Sequence, residues 1–428
     1  MHIEVICTGD EVLTGKIVNS NFSYISQKLE DFGLGVKWGA TVGDDRDDLL
    51  DAFQRAGQRA DVVVVNGGLG PTVDDLSQEV AARAAGVKLE LHEGWLEHMK
   101  AYFAGRGRTM PDNNTKQAML PEGAEVLDNP IGTACGFAVT IGKARFYFTP
   151  GVPRELHRML ELEIIPRVLE KAGSQSVIRL KRFHSFGIGE SHADALLTGL
   201  EAMVPDGTLK LGFRAHYPQL ETKLTVRGAT EEEIQTKLGP VVAEVRQRIG
   251  NFILAEDDET LEGVVLSLLG ERGATVAIAE TYTGGQAAAR LAPLPGAEAV
   301  FTRGMVARRL GELYGALEMD GAAPPEDAPL APEVAEAVAE AARRQAGADV
   351  GLAVLVALGD ESQHPNIQST ICIGVSTGSE VASRRSRLVG NRDWIRLGAV
   401  EMGLDSLRRF LKGLPIKEKI DFERAAPN

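Results

Sequence analysis

Four things are scarce or missing in this chain of 428 residues. Cysteine occurs three times, as Cys7, Cys135 and Cys372, far apart in apolar or tight-turn settings. That spacing offers neither a disulfide framework nor a metal cluster, and buried free thiols are the expectation for Cys7 and Cys372. No apolar run is long enough to span a bilayer, and the opening MHIEVICTGDEV starts as a strand without the pattern of a signal peptide. A cytoplasmic protein without a membrane partner is therefore expected. Basic charge is outnumbered: Lys plus Arg total 46 against 60 for Asp plus Glu, a net of −14. This argues against direct nucleic-acid binding through a broad basic face. Finally, no repeat or extended low-complexity tract breaks the chain, whose 44% hydrophobic and 25% charged residues are ordinary for a globular protein. The length is too great for one core, so two or three domains are expected.

The most informative stretch that is present is Asp61–Asp75, DVVVVNGGLGPTVDD. Val62–Val65 reads as a buried strand, Gly67, Gly68 and Gly70 as a loop whose backbone can approach a ligand, and Leu76–Gly86 as a helix ended by glycine. Strand, glycine loop and helix start together make an anion site of backbone N–H groups and helix dipole. Asp74 and Asp75, read as lying at that helix start, would repel a phosphate unless a divalent cation lies between. A metal–phosphate site is thus expected. The plainer reading is an ordinary α/β turn with capping aspartates. The stretch matches neither the Walker pattern nor the dinucleotide fingerprint.

From Met1 to about Arg167, strands (Ile3–Thr8, Val36–Val42, Asp61–Val65) alternate with helices (Asn19–Phe32, Asp45–Ala56). Such alternation favours an α/β fold with a doubly wound, largely parallel sheet, whose ligands gather at the carboxyl ends of the strands. Polar, glycine-bearing segments fall at those ends or in adjacent loops: Gly9–Gly15 (GDEVLTG), Val42–Asp45 (VGDD), the Gly67–Asp75 loop, Asn129–Gly136 (NPIGTACG) and Pro150–Glu155 (PGVPRE). A second unit has expected strands at Ile178–Phe186 and Glu221–Arg227, and helices at Glu190–Gly199 and Thr230–Ile249. Within its GIGES turn, Ser191 and His192 are neighbours on a helix and do not face each other, so they make no catalytic pair. The acidic run Glu256–Glu259 reads as a linker. Beyond it a third unit holds a strand at Thr275–Ala279, a loop at Pro324–Pro332 and a helix at Glu333–Ala346.

The order GDEVLTG, NSN, VGDD, GGLGPTVDDLS, NPIGTACGF, TPGVPRELHRM, FGIGES resembles the CinA (competence/damage-inducible protein) family over essentially the whole chain. The resemblance implies a MoaB/MogA-like, molybdopterin-binding-fold domain over 1–170, a small KH-like α+β domain over 171–254, and an α/β domain similar to nicotinamide-nucleotide amidase over 255–420. For the first domain it implies ADP-ribose pyrophosphatase activity, giving AMP and ribose 5-phosphate, with a divalent metal (Mg, Mn or Co), with K⁺ as a further candidate, and a homodimer. Set on the residues, Gly67, Gly68 and Gly70 would give N–H donors to the diphosphate, and Leu69, Thr72 and Gly151 would also be substrate-binding. Asp74 and Asp75 would hold metal with Asp10, Asp44 or Glu11, while Glu11 joins Asp74 and Asp75 as a catalytic carboxylate. Asn21, Thr133 and Glu155 would hydrogen-bond ribose or base, and Thr72 is expected to shape its turn. Cys135 stands where the family usually has proline, a change small enough to be tolerated.

The third domain departs from the family's pattern. The family motif AESCTGG, whose serine is the expected nucleophile, reads here Ala279–Gly285, AETYTGG, with Thr281, Tyr282, Thr283, Gly284 and Gly285 at its core. The motif FxGGxxxYxxxxK reads FTRGMVARRL at Phe301–Leu310, with Arg303, Arg308 and Arg309 in place of glycine and tyrosine. No lysine occurs between Lys237 and Lys412, and arginine stays charged and cannot abstract a proton. The GIAGPxG loop is replaced by ALGDESQH at Ala357–His364, while GNRDWIR at Gly390–Arg396 survives. The expectation is a retained fold that has lost nicotinamide mononucleotide deamidation. The alternatives are an active deamidase using Thr281, pterin or adenylyl chemistry, and a non-catalytic nucleotide-binding or interaction protein of competence and DNA damage.

Overall fold

The computed structural model describes all residues except 174–176, 326–327, 361, 363–364 and 424–428. Two compact units emerge, the first comprising 1–179 with 227–231, the second 180–226 with 232–428.

The first unit is built on β1 (Ile3–Thr8), α1 (Asp10–Leu13), α2 (Ser20–Asp31), β2 (Val36–Val42), α3 (Arg46–Arg59), β3 (Val62–Asn66), α4 (Ser77–Ala85), β4 (Leu89–Leu91), α5 (Glu93–Ala104), β5 (Met119–Pro121), β6 (Glu125–Leu127), β7 (Gly136–Ile141), β8 (Ala144–Thr149), α6 (Pro153–Met159) and α7 (Ile165–Lys171). Every residue of β1 and β3 is buried, which is why both read as unbroken apolar runs rather than alternating ones. Strand order in the main sheet is β2-β1-β3-β8-β7-β6. β2, β1, β3 and β8 run parallel, and β7 alone is reversed, antiparallel to β8 and β6, so the sheet is largely parallel as expected, with one antiparallel strand. The chain order reverses at β1, so the carboxyl ends of β1 and β3 flank a topological switch point. Local signals set the helix ends. Asp45 caps α3 by accepting from the N–H groups of Asp47 and Asp48 at 2.9 and 3.1 Å. Gly86, at φ 73°, closes α4 in the left-handed region. The helix after the glycine loop begins at Ser77, so Asp74 and Asp75 lie one turn ahead of it, in a Thr72–Asp75 turn, and not at its first position.

The second unit carries two sheets. β9 (Val177–Phe186, entering from the first unit), β10 (Leu209–His216), β11 (Gln219–Gly228) and β12 (Ile253–Glu256) form one in the order β10-β11-β9-β12, with α8 (Glu190–Leu196) and α9 (Glu231–Ile249). The acidic run is not a loose linker. Glu256 ends a strand paired with β9, Lys181 bonds the carboxylates of Glu256 and Asp257, each at 2.6 Å, and Arg246 holds Glu256 at 2.7 Å. The other sheet, β14-β13-β15-β16-β17, is made of β13 (Val276–Thr281), β14 (Phe301–Ala307), β15 (Val350–Leu358), β16 (Ile367–Ser376) and β17 (Val381–Gly390). Its helices are α10 (Leu261–Glu271), α11 (Gln286–Leu291), α12 (Ala297–Val300), α13 (Leu310–Ala316), α14 (Pro332–Ala346) and α15 (Arg392–Leu411). β13 is parallel to β14 and β15, and β15, β16 and β17 form an antiparallel meander. Contacts that tie the halves of this unit together include the Tyr217 ring, stacked on Trp394 with centroids 3.3 Å apart, Gln219, which donates to Glu401 at 2.6 Å, and Asp421, which accepts from Gly189 N–H at 2.7 Å. All three cysteines are buried and free, and among the described residues no helix is long and apolar enough to cross a membrane.

Candidate functional site

At the switch point of the first unit lies a cleft of about 660 Å³. It is lined by Glu11, Asn21, Asp44, Gly67, Gly68, Leu69, Gly70, Thr72, Asp74, Asp75, Thr133, Gly151 and Glu155, so residues spread over 145 positions of sequence meet in one place. Asp10 is the exception. It is absent from the lining, and its Oδ1 is turned to accept from Asp44 N–H at 3.1 Å.

The loop after β3 is shaped by Gly67 and Gly68, at φ 112° and 69°, where other residues are strained. A Cβ on Gly68 would stand 2.5 Å from Ser77 Oγ, whose own hydroxyl donates to Gly67 O at 2.8 Å. Below the loop, Asn66 at the end of β3 is a junction. Its amide donates to Thr149 Oγ1 at 3.1 Å and Pro150 O at 2.7 Å, and its Oδ1 accepts from Asn21 Nδ2 at 2.9 Å. Asn21 donates also to Gly151 O at 2.7 Å. Two further segments fix the walls. Gln117 donates to Leu69 O at 3.0 Å, and Lys116, next to it, donates its ammonium to Thr72 O. On the far wall, fully buried Asn129 donates to Ala134 O at 2.9 Å and to Glu155 Oε2 at 2.7 Å, while Trp95 Nε1 donates to Thr133 O at 3.1 Å. Asn66, Gln117, Lys116 and Asn129 were not singled out from sequence. The one signal available for Asn66 was its polar side chain closing the run of four valines.

The paired aspartates part company. Asp75 Oδ2 accepts from both Thr72 N–H, at 2.8 Å, and Thr72 Oγ1, at 2.5 Å, so it closes the turn on which Asp74 stands. Asp74 is exposed and contributes its charge to the cleft. Burial holds the Asp44 carboxyl above the usual carboxylate range. Its bond from Asp10 N–H pulls it down, and the charges of Asp10, Glu11 and Asp74 push it further up. The cleft therefore carries crowded negative charge beside the glycine loop, a setting that a divalent ion with a phosphate ligand fits. Gly67 N–H is already held by Thr149 O at 2.9 Å and Thr72 N–H by Asp75, so the expected donors narrow to Gly68, Leu69 and Gly70. Among the described residues no three His, Cys, Asp or Glu side chains form a ready metal cage. The donor set instead suits an ion held by one or two carboxylates plus ligand phosphate and water, as is usual for Mg²⁺. Cys7 also lines the cleft, and burial pushes its thiol pKa up, which disfavours the nucleophilic thiolate.

In the second unit, Thr281 and Tyr282 line a pocket of about 320 Å³ together with Arg308 and Arg309. Thr281 ends β13 and is 4% exposed, and its Oγ1 accepts the N–H of Val356 at 3.0 Å. Tyr282 occupies φ 67° and donates its hydroxyl to Arg392 O at 3.1 Å. Thr283 donates to Glu280 Oε2 at 2.5 Å, and the Glu280 carboxylate also accepts from Ala287 and Ala288 N–H at the start of α11. Gly284 and Gly285 make the positive-φ turn between. Among the described lining residues there is no histidine, lysine or carboxylate to take a proton from Thr281.

Three family models cover the chain: a "probable molybdopterin binding domain" at residues 4–170, the "damage-inducible protein CinA KH domain" at 180–255 and the "CinA C-terminal domain" at 258–411. A CinA-like protein of Frankia casuarinae is 37% identical over 434 residues, covering 100% of both chains. The chain belongs to the CinA family. A CinA-like protein of Geobacter sulfurreducens is 35% identical over 96% of this chain and 99% of its own. Among solved structures, CinA from Thermoplasma acidophilum, described as of unknown function, shares 34% identity over 40% of this chain and 96% of its own, with a TM-score of 0.35. A molybdopterin biosynthesis protein from Mycobacterium abscessus shares 18% over 40% of this chain and 96% of its own, with a TM-score of 0.29. By the family models, the first domain has the molybdopterin-binding-domain fold of the MoaB/MogA type, and the last is a CinA C-terminal domain.

Proposed function

We propose that the cleft of the first unit hydrolyses the diphosphate of ADP-ribose, giving AMP and ribose 5-phosphate, with a divalent cation. The observation carrying this reading is the meeting of Glu11, Asp44 and Asp74 with the Gly67–Gly70 loop in one cleft at the sheet's switch point. An N–H-rich loop favours an anion, and the crowded carboxylates favour a cation, so the ligand class is an anion that brings a metal. Asp44 and Asp74, with Glu11, would hold the ion, which when bound neutralises diphosphate charge and makes water a better nucleophile. The N–H groups of Gly68, Leu69 and Gly70 would bind phosphate oxygens as charge builds on them during cleavage. Glu155, set by Asn129, and Asn21, set by Asn66, would accept or donate to sugar hydroxyls. Asp75 acts through Thr72 and is a positioning residue. Hydrolysis adds water across the P–O–P bond, with the oxygen going to one phosphorus and the proton to the departing phosphate.

For the C-terminal domain we infer loss of deamidation. A nucleophilic hydroxyl needs a base beside it; the Thr281 hydroxyl instead caps a strand N–H, and the described pocket lining offers arginines alone as ionisable partners besides Tyr282. AMP release from ADP-ribose that falls by about a hundredfold or more in Asp74→Asn would support the reading. Full activity in that variant would remove Asp74 from it.

A further inference from the structure

Five carboxylates, Glu11, Asp44, Asp74, Asp75 and Glu155, line the cleft, and no arginine or lysine is among its described lining residues. A cation nonetheless stands at its edge. Lys116, in the turn Asp112–Ala118, places its ammonium on the carbonyl of Thr72, a lining residue, while its neighbour Gln117 holds the carbonyl of Leu69 at the other end of the same loop. An ammonium has three N–H donors, and Thr72 O takes one. Lys116 is partly exposed, and its long stem lets the charge move while the backbone stays fixed.

We propose that Lys116 is a phosphate-binding residue of this cleft, leaving or sharing Thr72 O to pair with an anionic oxygen of the ligand's diphosphate. The proposal rests on the diphosphate reading of the site and adds to it a protein cation independent of any metal. It also explains why residues 116 and 117 grip opposite ends of the loop: Gln117 carries the bracing, with a neutral amide buried to 2% exposure, and Lys116 carries the charge.

The test is equilibrium binding of inorganic diphosphate and of ADP-ribose to the full chain, with Mg²⁺ and with chelator, at low and high salt. Wild type, Lys116→Met and Lys116→Arg are compared. We expect Lys116→Met to bind both ligands about tenfold or more weakly, to show a flattened salt dependence, and to keep its thermal midpoint, with Lys116→Arg recovering most of the affinity. Met affinities within about threefold of wild type would overturn the proposal. So would weakened binding whose salt dependence is unchanged, since that marks a neutral loop brace. If wild type binds neither ligand under any condition, the diphosphate reading itself fails. If wild type binds and only the variant pattern is wrong, Lys116 alone is removed from the site.

Discussion

Asp10 and Asp44 exchange hydrogen bonds across the end of the sheet: each backbone N–H donates to the other's carboxylate at 3.1 Å. The exchange fastens the loop after β1 to the loop after β2, and holds Asp44 where burial and the charges of Asp10, Glu11 and Asp74 raise its pKa. A raised folded-state value means the folded chain holds this proton more tightly than the unfolded one. The associated stability is present below the ordinary carboxylate range and is lost as pH rises through the raised value. At neutral pH without metal, Asp44→Asn should therefore raise the melting midpoint of the first unit, by about 1–3 °C, with the gain vanishing in acid. The same variant should lose the stabilisation that added Mg²⁺ gives wild type. Thermal scans over pH, with and without Mg²⁺, check both.

Gly132 lies flush against Glu155: a Cβ there would stand 2.1 Å from Oε2. The obstacle is the far end of a flexible side chain, so Gly132→Ala should still fold while displacing the carboxylate, at a cost of about 1–3 kcal/mol because buried Asn129 loses an acceptor. ADP-ribose turnover should fall on the order of ten- to a hundredfold. Denaturant unfolding beside steady-state kinetics separates the two effects.

Thr281 satisfies Val356 N–H from a nearly fully buried position. Thr281→Ala should cost about 1–3 kcal/mol because that donor loses its acceptor. Thr281→Ser keeps the oxygen and should cost less. Chemical denaturation of the second unit reads this directly, independently of any activity.

Glu401 on α15 is 1% exposed, paired with Arg290 at 2.6 Å and accepting from Gln219 at 2.6 Å. Burial raises its pKa, with Arg290 opposing. Arg290→Met should destabilise the second unit by about 3–5 kcal/mol at neutral pH, because a buried charge is left unpaired. The loss should shrink in acid as Glu401 protonates. Replacing both partners with apolar residues should cost less than the single change, which unfolding of the two variants across pH would show.

Much of the first unit was legible in sequence because its signals are local. Val62–Val65 is an uninterrupted buried run, Gly86 stops its helix and Asp45 starts another. The cleft-lining residues were legible for a related reason, since turn residues at strand ends face the switch point whatever the details. What local sequence signals do not carry depends on partners distant in sequence. β10, LKLGFRAH, is an edge strand with only Leu209 buried, so it shows no alternation. β12 owes its identity to pairing with β9, and its acidic end looked like a linker. Adjacent Asp74 and Asp75 are chemically identical, and only the position of Thr72 decides that one closes a turn and the other faces the cleft. Lys116 acts 44 positions from Thr72, a distance no periodicity reports.

We propose one working hydrolytic cleft in the first unit and a silent Thr281 pocket in the second. The most direct measurement supplies ADP-ribose and nicotinamide mononucleotide separately to the purified full chain with Mg²⁺, Mn²⁺ or Co²⁺, and follows AMP and ammonia. AMP from the first and no ammonia from the second are expected. Ammonia that disappears in Thr281→Ala, or no AMP with any of the three metals, would contradict the proposal.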